Sequence, residues 1–229
     1  MSQSKNQKAF EEKLDKMKEY SLEDAIALLK ESSFAKFDET LELSINLGVD
    51  PRHADQNIRV SASLPNGTGK EVKVLVVTQG PKEKEAEEAG ADFVGNKDYF
   101  EKLKSGWDEI DTIIATPDMM PELGKLGKVL GPKGLMPNPK SGTVTMDVAK
   151  AVKDIKSGKI EIRVDKFGII HVICGKMSFE NAAIADNVKS VYDTVIKARP
   201  AAVKGTYLKK LTLSSTMGPG IKIDHSKIR

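Results

Sequence analysis

Residues 71–78, EVKVLVVT, are the stretch that decides the fold class. Their apolar side chains follow one another almost without interruption, which is typical of a strand buried on both faces of a sheet. A second buried strand is predicted at residues 111–115, DTIIA, which Pro117 ends, and a short strand lies between the two at residues 92–94. Strands of this kind belong to parallel sheets that helices cover on both sides.

The segments between and after these strands favour helices. Residues 82–89 are predicted to be helical and to end at Gly90, because glycine readily adopts the conformation that terminates a helix. Residues 97–104 form the next predicted helix, and residues 119–130 are predicted to be mostly helical. The resulting βαβαβα order predicts a small parallel sheet with helices on both faces.

The two ends of the chain have a different pattern, and the first predicted strand there alternates apolar and polar residues like a half-exposed antiparallel strand. Before the parallel region we predict a helix at 22–30 capped by Ser21 and strands at 40–47 and 57–64. After it we predict strands at 160–164 and 168–174 joined by a turn through Asp165 and Lys166, a helix at 179–198 stopped by Pro200, and strands at 207–214 and 220–223. Each end alone has too few elements to bury a core, whereas together they make an ordinary α+β domain.

The fold class predicted from these patterns is α/β with two domains. A discontinuous α+β domain with an antiparallel sheet is built from both termini, residues 1–67 and 160–229. A parallel α/β domain, residues 68–159, is inserted into it. The chain crosses between the domains at LPNGTGK and at IKSGK, and two adjacent crossings predict a hinge.

The formal net charge of the 229-residue chain is only +3, but the charge is unevenly distributed. Residues 160–229 contain 12 Lys and Arg against 6 Asp and Glu. Residues 1–67 contain 9 against 12, and residues 68–159 contain 15 against 15. An anion-binding face in the last third of the chain explains this distribution, and a solvated lysine-rich surface explains it equally well.

The single cysteine, Cys174, excludes an internal disulfide and fits a reducing compartment. It lies in an apolar run at residues 169–174 and is predicted to be a buried strand thiol rather than a nucleophile. No apolar stretch approaches the roughly 20 residues of a membrane span. Residues 1–20, MSQSKNQKAFEEKLDKMKEY, favour a charged helix over a signal peptide, so a soluble, cytoplasmic protein is expected.

The sequence lacks the signatures of common enzymes. The glycines of residues 124–134 do not have P-loop spacing, and no G-x-G-x-x-G follows the strand at 71–78. The three histidines, His53, His171 and His225, lack any metal-ligand spacing and are expected to be ordinary surface or core side chains. No catalytic residue, metal ligand or cofactor is predicted. The rival hypothesis is an enzyme for a nucleotide or sugar phosphate at the carboxyl ends of the parallel strands, or a ligand cleft between the domains.

Residues 124–144, GKLGKVLGPKGLMPNPKSGTV, are the first of three segments that favour RNA binding. They contain four lysines, Lys125, Lys128, Lys133 and Lys140, and no acid. The glycines and prolines predict an ordered loop that presents ammonium groups and backbone amides to phosphate. The alternative is a packed structural loop that closes the middle domain.

The other two segments lie in the discontinuous domain. Residues 214–220, SSTMGPG, permit close backbone approach, and Met217 offers an apolar face to a base or ribose. Lys36 and Phe37, predicted to close a helix, place an aromatic ring beside a cation, as in proteins that stack bases. Taken alone, the first segment is only a turn, and a lone Phe at a helix end is more often part of a core.

The run at residues 124–144 closely resembles the signature of the bacterial large-subunit ribosomal protein L-one family, the protein of the mobile rRNA stalk beside the exit tRNA site. Further matches, in that family's order and spacing, are AKFDETLEL, DPRHADQNIR, EEAGADFVG, ATPDMM, HVICGKMSF and STMGP. The resemblance covers essentially the whole chain. It implies two domains joined by a double hinge, the first built from both termini and the second a Rossmann-like insertion.

The resemblance also implies a function: a structural constituent of the ribosome, not an enzyme, that binds the stalk region of large-subunit rRNA. It implies that the protein assists release of deacylated tRNA from the exit site and represses translation of its own operon mRNA. The expected partners are therefore rRNA, exit-site tRNA and that mRNA, with no membrane, and the protein is expected to be ribosome-associated, or a monomer when free.

The RNA contacts implied by the resemblance concentrate on the domain made from the termini. They are Lys36, Phe37, Thr40, Glu42, Asp165, Lys166, Thr216, Met217 and Gly218. Ser215, which precedes the last three in the SSTMGPG segment, is predicted to belong with them. Lys125, Lys128, Lys133 and Lys140 are predicted to form a secondary phosphate-contact loop.

Overall fold

The structure, a computed structural model, describes residues 10, 14–15, 18–80 and 82–228. The charged helix expected over residues 1–20 lies largely outside these residues. The chain divides into two compact units, Met1–Gly69 with Glu161–Arg229 and Lys70–Ile160, which are called here the terminal unit and the middle unit. None of the described helices is long and apolar enough to cross a membrane.

The helices and strands follow one another along the chain in a regular order. They are α1 (Leu22–Ser32), β1 (Thr40–Leu47), β2 (Arg59–Ser63), β3 (Val74–Val77), α2 (Lys82–Glu88), β4 (Phe93–Gly95), α3 (Lys97–Lys104), β5 (Thr112–Ala115), α4 (Met120–Lys125), α5 (Gly127–Leu130), α6 (Val148–Lys156), β6 (Lys159–Arg163), β7 (Ile169–Lys176), α7 (Asn181–Lys197), β8 (Leu208–Ser215) and β9 (Gly220–Ile223). Short 3-10 helices cover Pro117–Met119, Pro139–Ser141 and His225–Lys227.

The terminal unit is built on an antiparallel four-stranded sheet in the order β7-β1-β8-β9. The central strand β1 alternates, and its buried side chains are Leu41, Leu43, Ile45 and Leu47. Helices α1 and α7 pack against the sheet through buried apolar residues of their own. Strands β2 and β6 form a separate two-stranded sheet, across which Arg59 and Glu161 make an ion pair. The alternation expected at residues 40–47 is confirmed.

Helix α1 begins as predicted, because the Ser21 hydroxyl accepts a hydrogen bond from the Asp24 backbone N–H at 3.2 Å. It ends at Ser32, and Ser33 has extended backbone dihedral angles. The prediction that Lys36 and Phe37 close this helix is therefore wrong. The physical reason is tertiary: the Ser33 hydroxyl hydrogen-bonds to Glu39, which also accepts a hydrogen bond from the distant Ser215. Lys36 and Phe37 therefore lie in the segment between α1 and β1.

The middle unit is built on a parallel three-stranded sheet in the order β4-β3-β5. All four residues of β3 are buried, as the apolar run predicted. On one face Leu75 and Val77 pack with residues of α3, α4 and α5, and on the other Val74 and Val76 pack with residues of α2 and α6. Helix α6, which the sequence analysis did not predict, completes that second face. The predicted fold class, with an antiparallel sheet and a separate parallel sheet flanked by helices, is confirmed.

Cys174 lies in β7 with none of its surface exposed, as predicted, and burial raises the pKa of its thiol to about 12. Because the thiolate is the reactive form, we expect the native protein at pH 8 not to react with Ellman's reagent, and one thiol to react after unfolding in guanidinium. Prompt labelling of the native protein, with the fold intact by circular dichroism, would contradict this placement of β7.

Candidate nucleic-acid interface

The predicted RNA-binding residues nearest the two ends of the chain meet at one end of the four-stranded sheet. The Thr40 backbone N–H donates to the Thr216 hydroxyl at 3.0 Å, and that hydroxyl donates to the Thr40 carbonyl at 3.3 Å. Phe37 and Met217 are both more than half exposed. Residues 33–40 and 215–218 are called here the loop cluster. Lys36 belongs to it and is exposed.

A buried carboxylate lies at the centre of the loop cluster. Only 1% of the surface of Glu39 is exposed. Its Oε1 accepts a hydrogen bond from the Ser33 hydroxyl at 2.7 Å, and its Oε2 accepts from the Ser215 hydroxyl at 2.7 Å and the Met217 N–H at 2.8 Å. Burial raises the pKa of Glu39, and the hydrogen bonds lower it by more, so the pKa lies below its ordinary value. Glu39 was not among the predicted site residues, since nothing in the sequence distinguishes it from the many exposed acids.

Gly218 is held by the same arrangement. Its N–H donates to the Ser215 hydroxyl at 3.0 Å, and a Cβ at this position would lie 2.4 Å from that oxygen. Any side chain would therefore displace Ser215 from Glu39. Glycine at this position is required by the close approach of the backbone to Ser215.

Asp165 and Lys166 lie at the opposite end of the sheet, in the turn between β6 and β7. The Asp165 carboxylate accepts hydrogen bonds from the Phe167 N–H at 2.9 Å and the Ile169 N–H at 2.8 Å. The carbonyl of Gly168 accepts from the N–H of Leu47, the last residue of β1. Since β1 has eight residues, roughly 23 Å separate this turn from Thr40. The structure therefore does not bring Asp165 and Lys166 next to Thr216.

One face of the sheet connects these two ends and is not covered by α1 or α7. The strand register places Ser44 at its centre, opposite His171 of β7 and Thr212 of β8. Side chains on this open face are those of Glu42, Ser44, Asn46, Ile169, His171, Ile173, Lys210, Thr212, Ser214 and Lys222. The Ser44 hydroxyl lies 3.1 Å from His171 Nδ1, and His171 Nε2 lies 4.0 Å from the Asp165 carboxylate. Only Glu42 of this set was predicted.

Residues 124–144 lie in the middle unit, and all four of the predicted lysines there are exposed. The segment is partly helical, because it contains the end of α4, all of α5 and the 3-10 helix at Pro139–Ser141. Its backbone N–H groups bond within the unit at Leu126, Val129, Leu130, Gly131, Gly134, Leu135, Ser141, Gly142 and Thr143. The expectation that this segment presents its backbone amides to phosphate is wrong at these positions, because the amides already donate hydrogen bonds within turns and helices. Exposed ammonium groups are the feature that remains available to phosphate.

Comparison with known protein families matches residues 29–219 to the Ribosomal protein L1p/L10e family. This match covers most of the chain. The chain belongs to this family. Proteins of the L1p/L10e family are structural constituents of the ribosome that bind rRNA and have no enzymatic role, so the enzyme hypothesis is set aside.

An rRNA partner suits the surfaces of this L1p/L10e protein. Lysine side chains lie at both ends of the open face, Lys36 in the loop cluster and Lys166 in the turn. Hydroxyl groups lie between them. Among the described residues, no group of His, Cys, Asp and Glu could hold a metal ion.

Proposed function

We propose that this L1p/L10e protein binds the stalk region of large-subunit rRNA through the terminal unit, with the RNA lying along the open face. The observation that carries this proposal is the position of the predicted residues at both ends of one exposed sheet face. The loop cluster marks one end, and Asp165 and Lys166 mark the other. A face about 23 Å long that α1 and α7 do not cover, and that carries the hydroxyls of Ser44 and Thr212, offers contact to a run of nucleotides.

The chemistry of this contact is recognition of RNA shape. Lys36 and Lys166 pair with phosphates, which position the RNA but carry no sequence information. The hydroxyls of Ser44 and Thr212 hydrogen-bond to 2′-OH groups and base edges. Phe37 at the loop cluster provides a ring on which an unpaired base stacks.

Two finer roles rest on the resemblance of the sequence. We propose that the protein assists the release of deacylated tRNA from the exit site and represses translation of its own operon mRNA. Lys125, Lys128, Lys133 and Lys140 are exposed on the middle unit and supply secondary phosphate contacts. An mRNA segment that reproduces the rRNA structure would occupy the same open face as the rRNA.

The test is to crosslink the protein to total cellular RNA, sequence the bound RNA and map the crosslinked peptides. The expected result is one region of large-subunit rRNA attached to peptides of the terminal unit, chiefly from the loop cluster, β1 and β7. A purified fraction dominated by unrelated RNAs would contradict the rRNA assignment. Crosslinks confined to residues 70–160 would reverse the assignment of RNA binding between the units.

Replacing Thr216 with valine is expected to weaken rRNA binding with little loss of stability. The hydroxyl bonds to Thr40 on an exposed edge, so its loss disturbs the loop cluster but uncovers no core. In the proposed complex this hydroxyl also contacts the rRNA, and an RNA group left without that partner costs about 1–3 kcal/mol, which is roughly a tenfold to hundredfold loss of affinity. Fluorescence anisotropy with labelled rRNA and a thermal melt measure the two effects.

The matched control is Thr194→Val, which removes a hydroxyl that donates to the Ser190 carbonyl within α7, on the other side of the sheet. This variant should bind rRNA as the wild type does. Equal affinity of Thr216→Val and wild type would remove Thr216 from the interface.

A further inference from the structure

Glu39 has the geometry of a group that organises a binding surface without touching the ligand. It is buried at the start of β1, and it bonds to segments that come from opposite ends of the chain. One carboxylate oxygen, Oε2, accepts from both Ser215 and Met217. Because the Ser215 hydroxyl in turn accepts from the Gly218 N–H, this oxygen sets the conformation of residues 215–218.

The other oxygen, Oε1, fixes this loop relative to α1. It accepts from the Ser33 hydroxyl at 2.7 Å. Glu39 therefore joins the end of α1, the segment that carries Lys36 and the loop that follows β8. These are the segments whose exposed side chains form the loop cluster.

The charge of Glu39 is itself unfavourable for RNA binding. Among the described residues none forms an ion pair with it, so hydrogen bonds alone offset the loss of its hydration. A buried anion beside the site of a polyanion repels the ligand, and a neutral apolar residue would fill the same space without that repulsion. The carboxylate compensates for this by fixing the three donors that bond to it, which are the hydroxyls of Ser33 and Ser215 and the N–H of Met217.

We propose that Glu39 is a positioning residue for RNA binding, which holds residues 215–218 in the one conformation that presents Met217 and Thr216 to the rRNA. The inference rests on the proposed function, because the presented residues are those assigned to rRNA. Glutamine cannot replace the carboxylate fully. Its amide offers one acceptor oxygen in place of two, and its NH2 group cannot accept the hydrogen bond that Oε1 accepts from the Ser33 hydroxyl.

The experiment compares wild type and Glu39→Gln in binding to a transcript of the stalk region of large-subunit rRNA, together with thermal melts. We expect Glu39→Gln to lose about tenfold in affinity, as for the loss of one hydrogen-bonded partner. Ile45→Val is the control for stability, since it removes a methyl group from a fully buried core position of β1. It should lower the melting temperature while leaving the affinity unchanged.

A double-mutant cycle with Met217→Ala separates positioning from general stabilisation. If Glu39 acts through Met217, then Glu39→Gln should cause a much smaller loss of affinity in the Met217→Ala background than in the wild type. A purely structural role would give the same loss in both backgrounds. Additive losses would therefore overturn the proposal, as would wild-type affinity of Glu39→Gln.

Ser215→Ala replaces Glu39→Gln as the test variant if Glu39→Gln does not fold. It leaves the carboxylate in place and removes its bond to the loop, along with the acceptor for the Gly218 N–H. The same loss of affinity and the same dependence on Met217 are expected, and wild-type affinity would overturn the proposal. Failure of the wild-type protein to bind the transcript would instead contradict the proposed function itself.

Discussion

Asn187→Ala is expected to lower the free energy of unfolding of the terminal unit by about 2–4 kcal/mol. Asn187 lies in α7 with no exposed surface. Its Nδ2 donates to the carbonyls of Gly67 at 3.0 Å and Cys174 at 2.8 Å, and its Oδ1 accepts from the Asn66 N–H at 3.1 Å. Alanine would leave these three backbone groups without their partner. The buried Cys174 carbonyl bears the full cost of roughly 1–3 kcal/mol, and the groups of Gly67 and Asn66 cost less because they are only partly buried.

Urea unfolding followed by circular dichroism measures this effect. The control is Ser190→Ala on the same helix, which removes a hydroxyl that donates to the Ser63 carbonyl at 2.8 Å in a more exposed position. Water can replace that bond, so a change within about 0.5 kcal/mol is expected. Equal midpoints for Asn187→Ala and wild type would show that α7 is not held to Gly67 and Cys174 through this side chain.

Ser44→Glu is expected to reduce rRNA affinity by a hundredfold or more without destabilising the fold. Ser44 occupies the centre of the open face, on the side of β1 that the helices do not cover. A carboxylate there would face the phosphates of an RNA that lies along the sheet. Juxtaposed like charges cost several kcal/mol, and each factor of ten in affinity corresponds to about 1.4 kcal/mol.

The matched control is Asn181→Glu, which changes the net charge equally at the exposed first residue of α7. Helix α7 packs behind the sheet, so this variant should bind rRNA nearly as well as wild type. Titration of labelled rRNA at fixed salt compares the two, since affinity for nucleic acid depends on salt. Wild-type affinity of Ser44→Glu would mean that the RNA does not cross the open face.

Much of the fold followed from local sequence patterns. The apolar run at residues 71–78 identified a strand buried on both faces, and alternation at residues 40–47 identified a half-exposed one. The first pattern is a short continuous apolar run and the second is the two-residue period of a strand, and both can be read without knowledge of distant residues. The Ser21 cap was equally local, because its partner Asp24 lies three residues away.

Two predictions about helices were wrong, for different reasons. Helix α6 was missed although its buried residues Val148, Ala151, Val152 and Ile155 have helical spacing and Asp147 caps it. The helical spacing and the cap are visible in the sequence, so α6 could have been predicted from them. Lys36 and Phe37 were wrongly placed at the end of a helix because Ser33 turns away from α1 toward Glu39, and Glu39 is buried there only when the loop after β8 covers it.

The sequence by itself determined the fold class and which side chains of β1 face the core. Only the tertiary structure decided which residues share the candidate site. Ser44 meets His171, 127 positions away, and Asp165 lies about 23 Å from Thr40 although both were predicted to contact RNA. The physical reason is that alternation assigns a residue to a face, whereas its neighbours on that face depend on strand register. Register is set by long-range core packing, and a slip of one residue would turn every side chain to the opposite face.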